Sequence, residues 1–251
     1  MKGKSVNPKK FAARLKIVLL ILVVLFSAYF LMRSSLFRVT RIEVFGNERV
    51  STEEVIALSG LIPGINSLQF DAHACAQAIE THPVIKQAVV QRHWIKTVAI
   101  QITERQIWAI MPYRDMFLYL DESGICFEKA NNPPLKDCPI ITMDYMPEEI
   151  ILGQAINNTA TDMIHQVWQA LPANQQSIIS EFHYQNQDNT LKIYTTKGTE
   201  VRFGDLERLE EKTKLFTQVI QMETDFEQKG QEVLEYVDIR FKGEPVLKTR
   251  V

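Results

Sequence analysis

The chain has 251 residues, of which 46% are hydrophobic and 23% are charged, and these proportions argue against a chain that is disordered throughout. The formal net charge is −2, but six of the 28 basic residues precede position 17 and the first acidic residue is Glu43, so the remainder is net acidic. Without a clustered basic stripe, that remainder cannot neutralise a phosphate backbone, which argues against binding to nucleic acid.

An uncharged apolar stretch occupies residues 17–32, between Lys16 and Arg33. As a helix it measures about 24 Å, slightly less than the ~30 Å hydrocarbon core of a bilayer. Lysine and arginine at its ends can reach the headgroups, and Leu36 lengthens the apolar part. We therefore expect a transmembrane helix over residues 17–36. The membrane residues expected in it include Ile17, Leu20, Val24 and Phe30.

The basic residues before the apolar stretch predict its orientation. By the positive-inside rule, residues 1–16 form a cytoplasmic tail and everything after the helix is extracytoplasmic, in a single-pass protein of the cell (inner) membrane. A cleaved signal peptide is the alternative, but Tyr29 and Phe30 prolong the apolar run where a small-residue cleavage site would lie. A buried core helix is disfavoured because the stretch has no polar face.

Residues 37–104 read as strand, helix, helix, strand, strand. Ser51 and Asp71 are typical N-caps of the two helices, Gly60 ends the first helix, and Pro83 ends the second. Alternating apolar residues predict the strands. We expect a small antiparallel sheet with both helices on one face, an α+β module. The predicted strands are 39–45, 84–92 and 97–103, with a hairpin through His93, Trp94 and Ile95.

Residues after Arg105 predict a mainly antiparallel β domain with flanking helices. Asp121 to Gly124 is typical of a hairpin turn, and Asp205 is the predicted N-cap of a long amphipathic helix whose charged residues, Lys212 among them, are expected to face solvent. The predicted strands are 117–120, 125–127, 177–184, 191–195, 200–203 and 236–241, with a helix at 160–170 and an extended tail at 245–251.

No pattern indicates an enzyme or a cofactor. The GxSxG, GxxxxGK[ST], HExxH and GxGxxG motifs are all absent from the sequence. A metal site is disfavoured because Asp71 and Cys75 share one face of a predicted helix while His73 lies on the other, so His82 could not complete a set with all of them.

Three further residue groups have a structural interpretation. The adjacent Glu148 and Glu149 diverge in direction, which is poor geometry for paired acid and base chemistry. Cys126 and Cys138 could form a disulfide in an oxidising compartment, or remain buried thiols, which is the favoured interpretation. Each tryptophan, at positions 94, 108 and 168, lies beside an apolar run, which favours packing over partner binding.

The order and spacing of several short motifs resemble the bacterial cell-division protein family FtsQ, called DivIB in some lineages. The resemblance covers nearly the whole chain. The motifs are Phe37-Arg38-Val39, residues 42–47 (IEVFGN), residues 50–54 (VSTEE), residues 63–66 (PGIN), residues 82–85 (HPVI), Thr103-Glu104-Arg105, residues 120–124 (LDESG), residues 201–204 (VRFG), Glu211-Lys212 and residues 237–241 (VDIRF).

The resemblance implies a POTRA domain at residues 37–105 and an FtsQ-type β domain at residues 106–251. It also implies a non-catalytic scaffold of the divisome, which links cytoplasmic and extracytoplasmic division proteins at the septum. The implied partners are small coiled-coil membrane proteins similar to FtsB (or DivIC) and FtsL, with no nucleic acid, no small-molecule substrate and no cofactor.

In the family, a partner segment adds to the unpaired edge of the last strand of the β domain, so that backbone hydrogen bonds join the two chains. The resemblance maps this edge to residues 236–241 and the following tail, with Arg240 matching a position that would pair a partner carboxylate. The implied partner-binding residues are Tyr236, Asp238, Arg240, Phe241, Gly243 and Val246.

Two departures from the family pattern are visible: residues 92–95 (RHWI) stand where many relatives carry a proline, and the tail after Gly243 is short. The alternative function is that of a POTRA-containing component of an outer-membrane protein or polypeptide transport system. Such components carry repeated POTRA units or a membrane barrel, whereas this sequence predicts one unit and an N-terminal span. An enzyme of the cell envelope is a weaker third alternative.

Overall fold

The computed structural model describes residues 8–93, 96–135, 138–228 and 233–250. The chain divides into two compact units, residues 1–104 and 105–251, which are described separately. The predicted hairpin residues Trp94 and Ile95, the basic residues Lys2 and Lys4, and the last residue, Val251, lie outside the described residues.

The first element is the helix α1, Pro8–Met32, followed by a 3₁₀ turn at Ser35–Phe37. The large apolar side chains between Ile17 and Met32 are all more than half exposed. Among the residues that the structure describes, no helix combines the length and the apolar character needed to cross a membrane.

The rest of the first unit contains a mixed sheet and two helices. Ser51 caps α2 by accepting a hydrogen bond from the Glu54 backbone N–H (3.2 Å), and Asp71 caps α3 by accepting from His73 (2.9 Å), as the sequence predicted. Gly60 ends α2 at a φ of 67°. The elements are β1 Arg41–Phe45, α2 Thr52–Ser59, α3 Ala72–Glu80, β2 Ile85–His93 and β3 Thr97–Glu104.

The expectation of a purely antiparallel sheet in this unit is wrong. Among the described residues the sheet has the order β1-β3-β2; β2 and β3 pair antiparallel, but β1 lies parallel to β3, with Arg41 opposite Thr97. The two helices and β2 lie between β1 and β3 in the chain. That connection is long enough for the crossover that a parallel pair requires.

The second unit is built on one large sheet. Within the described residues its strand order is β13-β12-β11-β10-β9-β7-β4-β5-β6-β8, ten strands in all. Most neighbours are antiparallel, as predicted, while the pairs β4–β7, β7–β9 and β11–β12 are parallel. The elements are β4 Ala109–Tyr113, β5 Met116–Leu120, β6 Ile125–Ala130, β7 Ile140–Met143, β8 Gln154–Ala155, α4 Asn158–Ala170, α5 Ala173–Gln176, β9 Ile179–Gln185, β10 Thr190–Thr195, β11 Glu200–Gly204, α6 Leu209–Gln228, β12 Val233–Asp238 and β13 Val246–Arg250.

The long amphipathic helix begins later than predicted. Arg208 has a φ of 56°, which is outside the helical region, so α6 starts at Leu209 and not directly after Asp205. Lys212 does not face solvent: it is 1% exposed, and its Nζ donates to the Asp205 backbone oxygen (2.9 Å) and to Asp205 Oδ1 (2.8 Å). The ammonium is buried because these oxygens bind it.

The predicted turn at Asp121 to Gly124 is present and lies against α4. Asp121 is buried, and its Oδ1 accepts from the backbone N–H groups of Ser123 (2.9 Å) and Ile125 (3.0 Å). Gly124 has a φ of 70°, and a Cβ there would lie 2.2 Å from Thr161 Oγ1, so no larger residue fits without a shift. No disulfide joins Cys126 to Cys138, both of which are among the described residues.

Candidate functional site: the C-terminal edge of the large sheet

The sheet of the second unit ends in the hairpin formed by β12 and β13. β12 pairs parallel with β11, Glu200 opposite Tyr236, and antiparallel with β13, Asp238 opposite Val246. The sequence predicted the strand at residues 236–241, whereas β12 covers residues 233–238. The outer side of this strand, which the resemblance implied to be unpaired, is paired by the chain's own last strand.

The hairpin distributes the implied partner-binding residues over three places. Tyr236 and Asp238 lie on β12, between two neighbouring strands. Arg240, Phe241 and Gly243 lie in the connection between β12 and β13. Val246 is the first residue of β13.

Arg240 is engaged by its own chain. Its Nη2 donates to Asp238 Oδ2 (2.6 Å), and its Nε donates to Asp238 Oδ1 (3.0 Å). Burial acts to raise the pKa of Asp238, but the hydrogen bonds and the positive charge of Arg240 outweigh it and hold that pKa below its usual value. We expected Arg240 to pair with a carboxylate of the partner, but in this structure it already pairs with Asp238 of its own chain.

The start of the connection is fixed by β11 and the turn that follows it. Arg208 Nη2 donates to the Arg240 carbonyl (2.7 Å), and the Ile239 N–H donates to the Arg202 carbonyl (3.1 Å). Gly204 has a φ of 78°, and a Cβ there would lie 2.9 Å from Arg240 Cγ. The backbone around Arg240 is therefore defined by contacts within the chain.

Three large apolar side chains on the hairpin are exposed to solvent: Phe241 is 69% exposed, Val246 60% and Leu247 45%. Val246 and Leu247 are neighbours in one strand, so their side chains point to opposite faces of the sheet. Leu247 was not among the implied partner residues. The apolar pair at positions 246–247, in a stretch rich in charged residues, is the sequence signal that could have identified it.

The two edges of the ten-stranded sheet, as far as the structure describes it, differ in length. β8, at one edge, spans two residues, and β13, at the other, spans five. A very short edge strand offers few backbone groups to another chain, whereas a longer one presents a row of them. Of these two described edges, β13 is the one long enough to accept an added strand, and it carries exposed apolar side chains.

The described residues contain no group of three or more histidine, cysteine or acidic side chains that could hold a metal ion. Asp71 caps α3, Cys75 is buried, and His82 Nε2 lies 3.5 Å from Glu54 Oε1. Each of these three residues, which belonged to the disfavoured metal site, therefore has a structural explanation.

A series of side-chain hydrogen bonds resembles a hydrolase triad. It joins β7 and Asp144, the residue that follows β7, to β9. His183 Nδ1 lies 2.7 Å from Thr142 Oγ1, and its Nε2 lies 3.0 Å from Asp144 Oδ1. However, Thr142 Oγ1 donates its proton to Glu181 Oε1 (2.6 Å), so the histidine does not activate it as a nucleophile. The chain of contacts joins two parallel strands instead.

Two family models match the chain. One, described as "POTRA domain, FtsQ-type", matches residues 37–105, and the other, described as "Cell division protein FtsQ/DivIB, C-terminal", matches residues 109–240. The second match alone covers more than half of the chain.

Curated relatives carry the same names. A "Cell division protein FtsQ" of Syntrophotalea carbinolica is 34% identical over 124 residues, which are 49% of this chain and 44% of the relative. A "Cell division protein FtsQ" of Anaeromyxobacter is 29% identical over 73% of this chain and 62% of the relative. A "Cell division protein DivIB" of Staphylococcus aureus is 23% identical over 76% of this chain and 41% of the relative. The matched region therefore spans about half the length of these relatives.

Proposed function

Because the chain belongs to the FtsQ/DivIB family of cell-division proteins, we propose that it is a non-catalytic divisome scaffold at the septum, and that it binds FtsB/DivIC-like and FtsL-like membrane proteins through the β13 edge. The FtsQ type of the matching POTRA domain favours this role over the transport alternative.

The proposed membrane topology places residues 1–16 in the cytoplasm, residues 17–36 in the inner membrane, and residues 37–105 and 106–251 outside the cytoplasm as the POTRA and β domains. It is supported by the sequence from Ile17 to Met32, which contains no charged residue and lies within one helix. The exposed apolar side chains there need a nonaqueous environment, which a bilayer supplies.

The observation that carries the proposed partner site is the length and exposure of β13. An added partner strand would pair with the backbone of residues 246–250, and the exposed side chains of Phe241, Val246 and Leu247 would contact the partner. In such an added strand the main-chain hydrogen bonds supply affinity, and the contacts of the flanking side chains supply specificity. Arg240 would either keep the hairpin in its shape through the bonds to Asp238, or release Asp238 and bind a carboxylate of the partner.

The test is co-purification of the two small partner types with the full chain in detergent. Val246→Glu and Leu247→Glu are expected to reduce partner recovery strongly, since each puts a charge where the partner would bury an apolar group. Ile151→Glu is the matched control, because Ile151 is 54% exposed and lies near β8 at the opposite edge.

Equal recovery of both partners by the β13 variants and by wild type would overturn the proposed site. Loss of recovery by the Ile151 variant to the same extent would show that any apolar-to-acidic change on this sheet acts nonspecifically. A reporter that is active only outside the cytoplasm, fused after position 251, is expected to be active, and an inactive but intact fusion would overturn the topology.

A further inference from the structure

The segment between α1 and β1 is joined to the loop between α2 and α3. This loop, residues 61–70, contains the PGIN motif that the sequence analysis singled out. Three backbone hydrogen bonds connect it to residues 37–39: Ser67 N–H to Phe37 O (2.7 Å), Val39 N–H to Ile65 O (2.8 Å) and Gly64 N–H to Val39 O (2.7 Å).

Asn66 connects the same loop to the end of α1. Its Nδ2 donates to the backbone oxygen of Met32 (2.7 Å), the last residue of the helix, and its Oδ1 accepts from the Leu68 N–H (2.9 Å). The final carbonyl groups of a helix lack partners within the helix. Asn66 therefore satisfies one of them and places loop 61–70 beside the last turn of α1.

The loop is also fixed to the sheet of the first unit. Arg92, on β2, donates from Nη2 to the Phe70 carbonyl (2.7 Å) and from Nε to the Ser67 carbonyl (2.5 Å), and its guanidinium lies 4.6 Å from the centre of the Phe70 ring. The helix end, the loop and the sheet thus form one bonded series, so that the position of α1 determines the position of the loop.

Loop 61–70 and the segment between α1 and β1 together present both apolar and basic side chains. Ile62 is 66% exposed, Leu36 52% and Leu68 45%. Arg33 and Arg38 line a pocket of about 420 Å³ together with four residues of the loop, Gly64, Ile65, Asn66 and Gln69. Exposed apolar side chains next to cationic ones are typical of surfaces that lie in a membrane interface.

We propose that this face of the first unit docks on the extracytoplasmic leaflet of an anionic phospholipid bilayer. Ile62, Leu68 and Leu36 enter the headgroup region, and Arg33 and Arg38 contact lipid phosphates. The inference rests on the proposed membrane span of residues 17–36. Within that span α1 ends at Met32, so residues 33–36 lie in the headgroup part of the bilayer, and Asn66 is bonded to the last carbonyl of the helix. The docked loop would fix the height of the unit above the membrane.

The test uses the full chain in vesicles of phosphatidylglycerol and phosphatidylcholine. Ile62→Cys or Leu68→Cys supplies one reactive cysteine for a polarity-sensitive fluorophore. Cys138→Ser is the background, and Cys75 and Cys126 stay in place because they are buried. We expect emission shifted to the blue, and quenching by lipids that carry a spin label near the headgroup. Phe45→Cys is the matched control, since Phe45 is 48% exposed at the far end of β1.

Each outcome separates this inference from the proposed function. A chain that does not float with the vesicles overturns the membrane span. A chain that floats while labels at 62 and 68 emit like the label at 45 overturns the docking alone. Replacing Arg33 and Arg38 with glutamine should weaken docking by about fivefold per residue in anionic vesicles, from the roughly 1 kcal/mol that each basic residue gains near an anionic surface. An unchanged shift in that double variant overturns the phosphate contacts.

Discussion

Two carboxylates, one in each unit, are held in different ways. Glu104, at the end of β3, accepts hydrogen bonds from three backbone N–H groups, those of Glu48 (2.9 Å), Arg49 (2.9 Å) and Val50 (3.0 Å). Asp238, at the end of β12, is held mainly by the guanidinium of Arg240, a side chain that is 42% exposed. A backbone cage depends on the fold around it, whereas a side-chain pair can exchange partners without unfolding the strand.

The contrast indicates different roles for the two sites. Glu104 is 6% exposed and closes the first unit by joining its last strand to the turn before α2. Burial acts to raise the pKa of Glu104, but the three backbone donors and the charge of Arg49 lower it below its usual value. We infer that changes at Glu104 alter folding, while changes in the hairpin alter binding.

The largest expected effect is that of Glu104→Ala. It leaves the buried Val50 N–H without its acceptor and removes two further charge-assisted hydrogen bonds, so the free energy of unfolding of the first unit should fall by about 3 kcal/mol. Amide hydrogen exchange of the full chain measures this unit by unit. Faster exchange should be confined to residues before 105, and a uniform increase in both units would contradict the comparison.

Acid should affect the first unit through the same carboxylate. A carboxyl whose pKa is lower in the folded than in the unfolded state stabilises the fold above its unfolded pKa, and this contribution is lost as pH falls through the folded pKa. Stability should therefore decline as pH falls below 4.5, the usual value for glutamate. The Glu104→Gln variant keeps an acceptor but does not titrate, so its first unit should lose less stability over this range. Parallel pH profiles would contradict the assignment.

Asp238→Asn should have a smaller effect that depends on salt. It removes the charge that Arg240 binds, and because that arginine is partly exposed we expect a loss of about 1 kcal/mol or less. High salt should reduce the difference between this variant and wild type, since it screens exposed ion pairs. The effect of Glu104→Ala should persist in salt. Equal salt dependence of the two variants would remove the distinction between cage and pair.

The sequence predicted local features well where a few neighbouring residues determine them. Ser51 and Asp71 cap the starts of α2 and α3, and Gly60 ends α2, because cap geometry depends on the residues within one turn. The prediction that Lys212 faces solvent was wrong because it relied on the charge of the side chain. Lys212 lies three residues after Leu209 and four before Phe216, both of which pack on the core, so its spacing indicated the apolar face of the helix.

The candidate site could not be predicted in the same way, because it is formed by strand pairing between distant residues, which local patterns do not specify. Residues 246–250 were predicted to be extended, but only the sheet as a whole shows that they cover β12 and become the edge. The parallel position of β1 beside β3 was missed for the same reason. Arg240 was identified from the family motif, whereas its contact with Asp238 depends on the backbone turn between them.

The smallest expected effect is that of Lys248→Ala, on the same strand as the proposed partner contacts. Lys248 pairs with Glu235 at 2.9 Å, but the two side chains are 56% and 34% exposed, and such pairs contribute about 0–1 kcal/mol. We expect unchanged hydrogen exchange and unchanged partner recovery, because the variant keeps the β13 backbone and its apolar side chains. A strong loss of partner recovery from a folded Lys248→Ala variant would mean that charge, and not the strand edge, selects the partner.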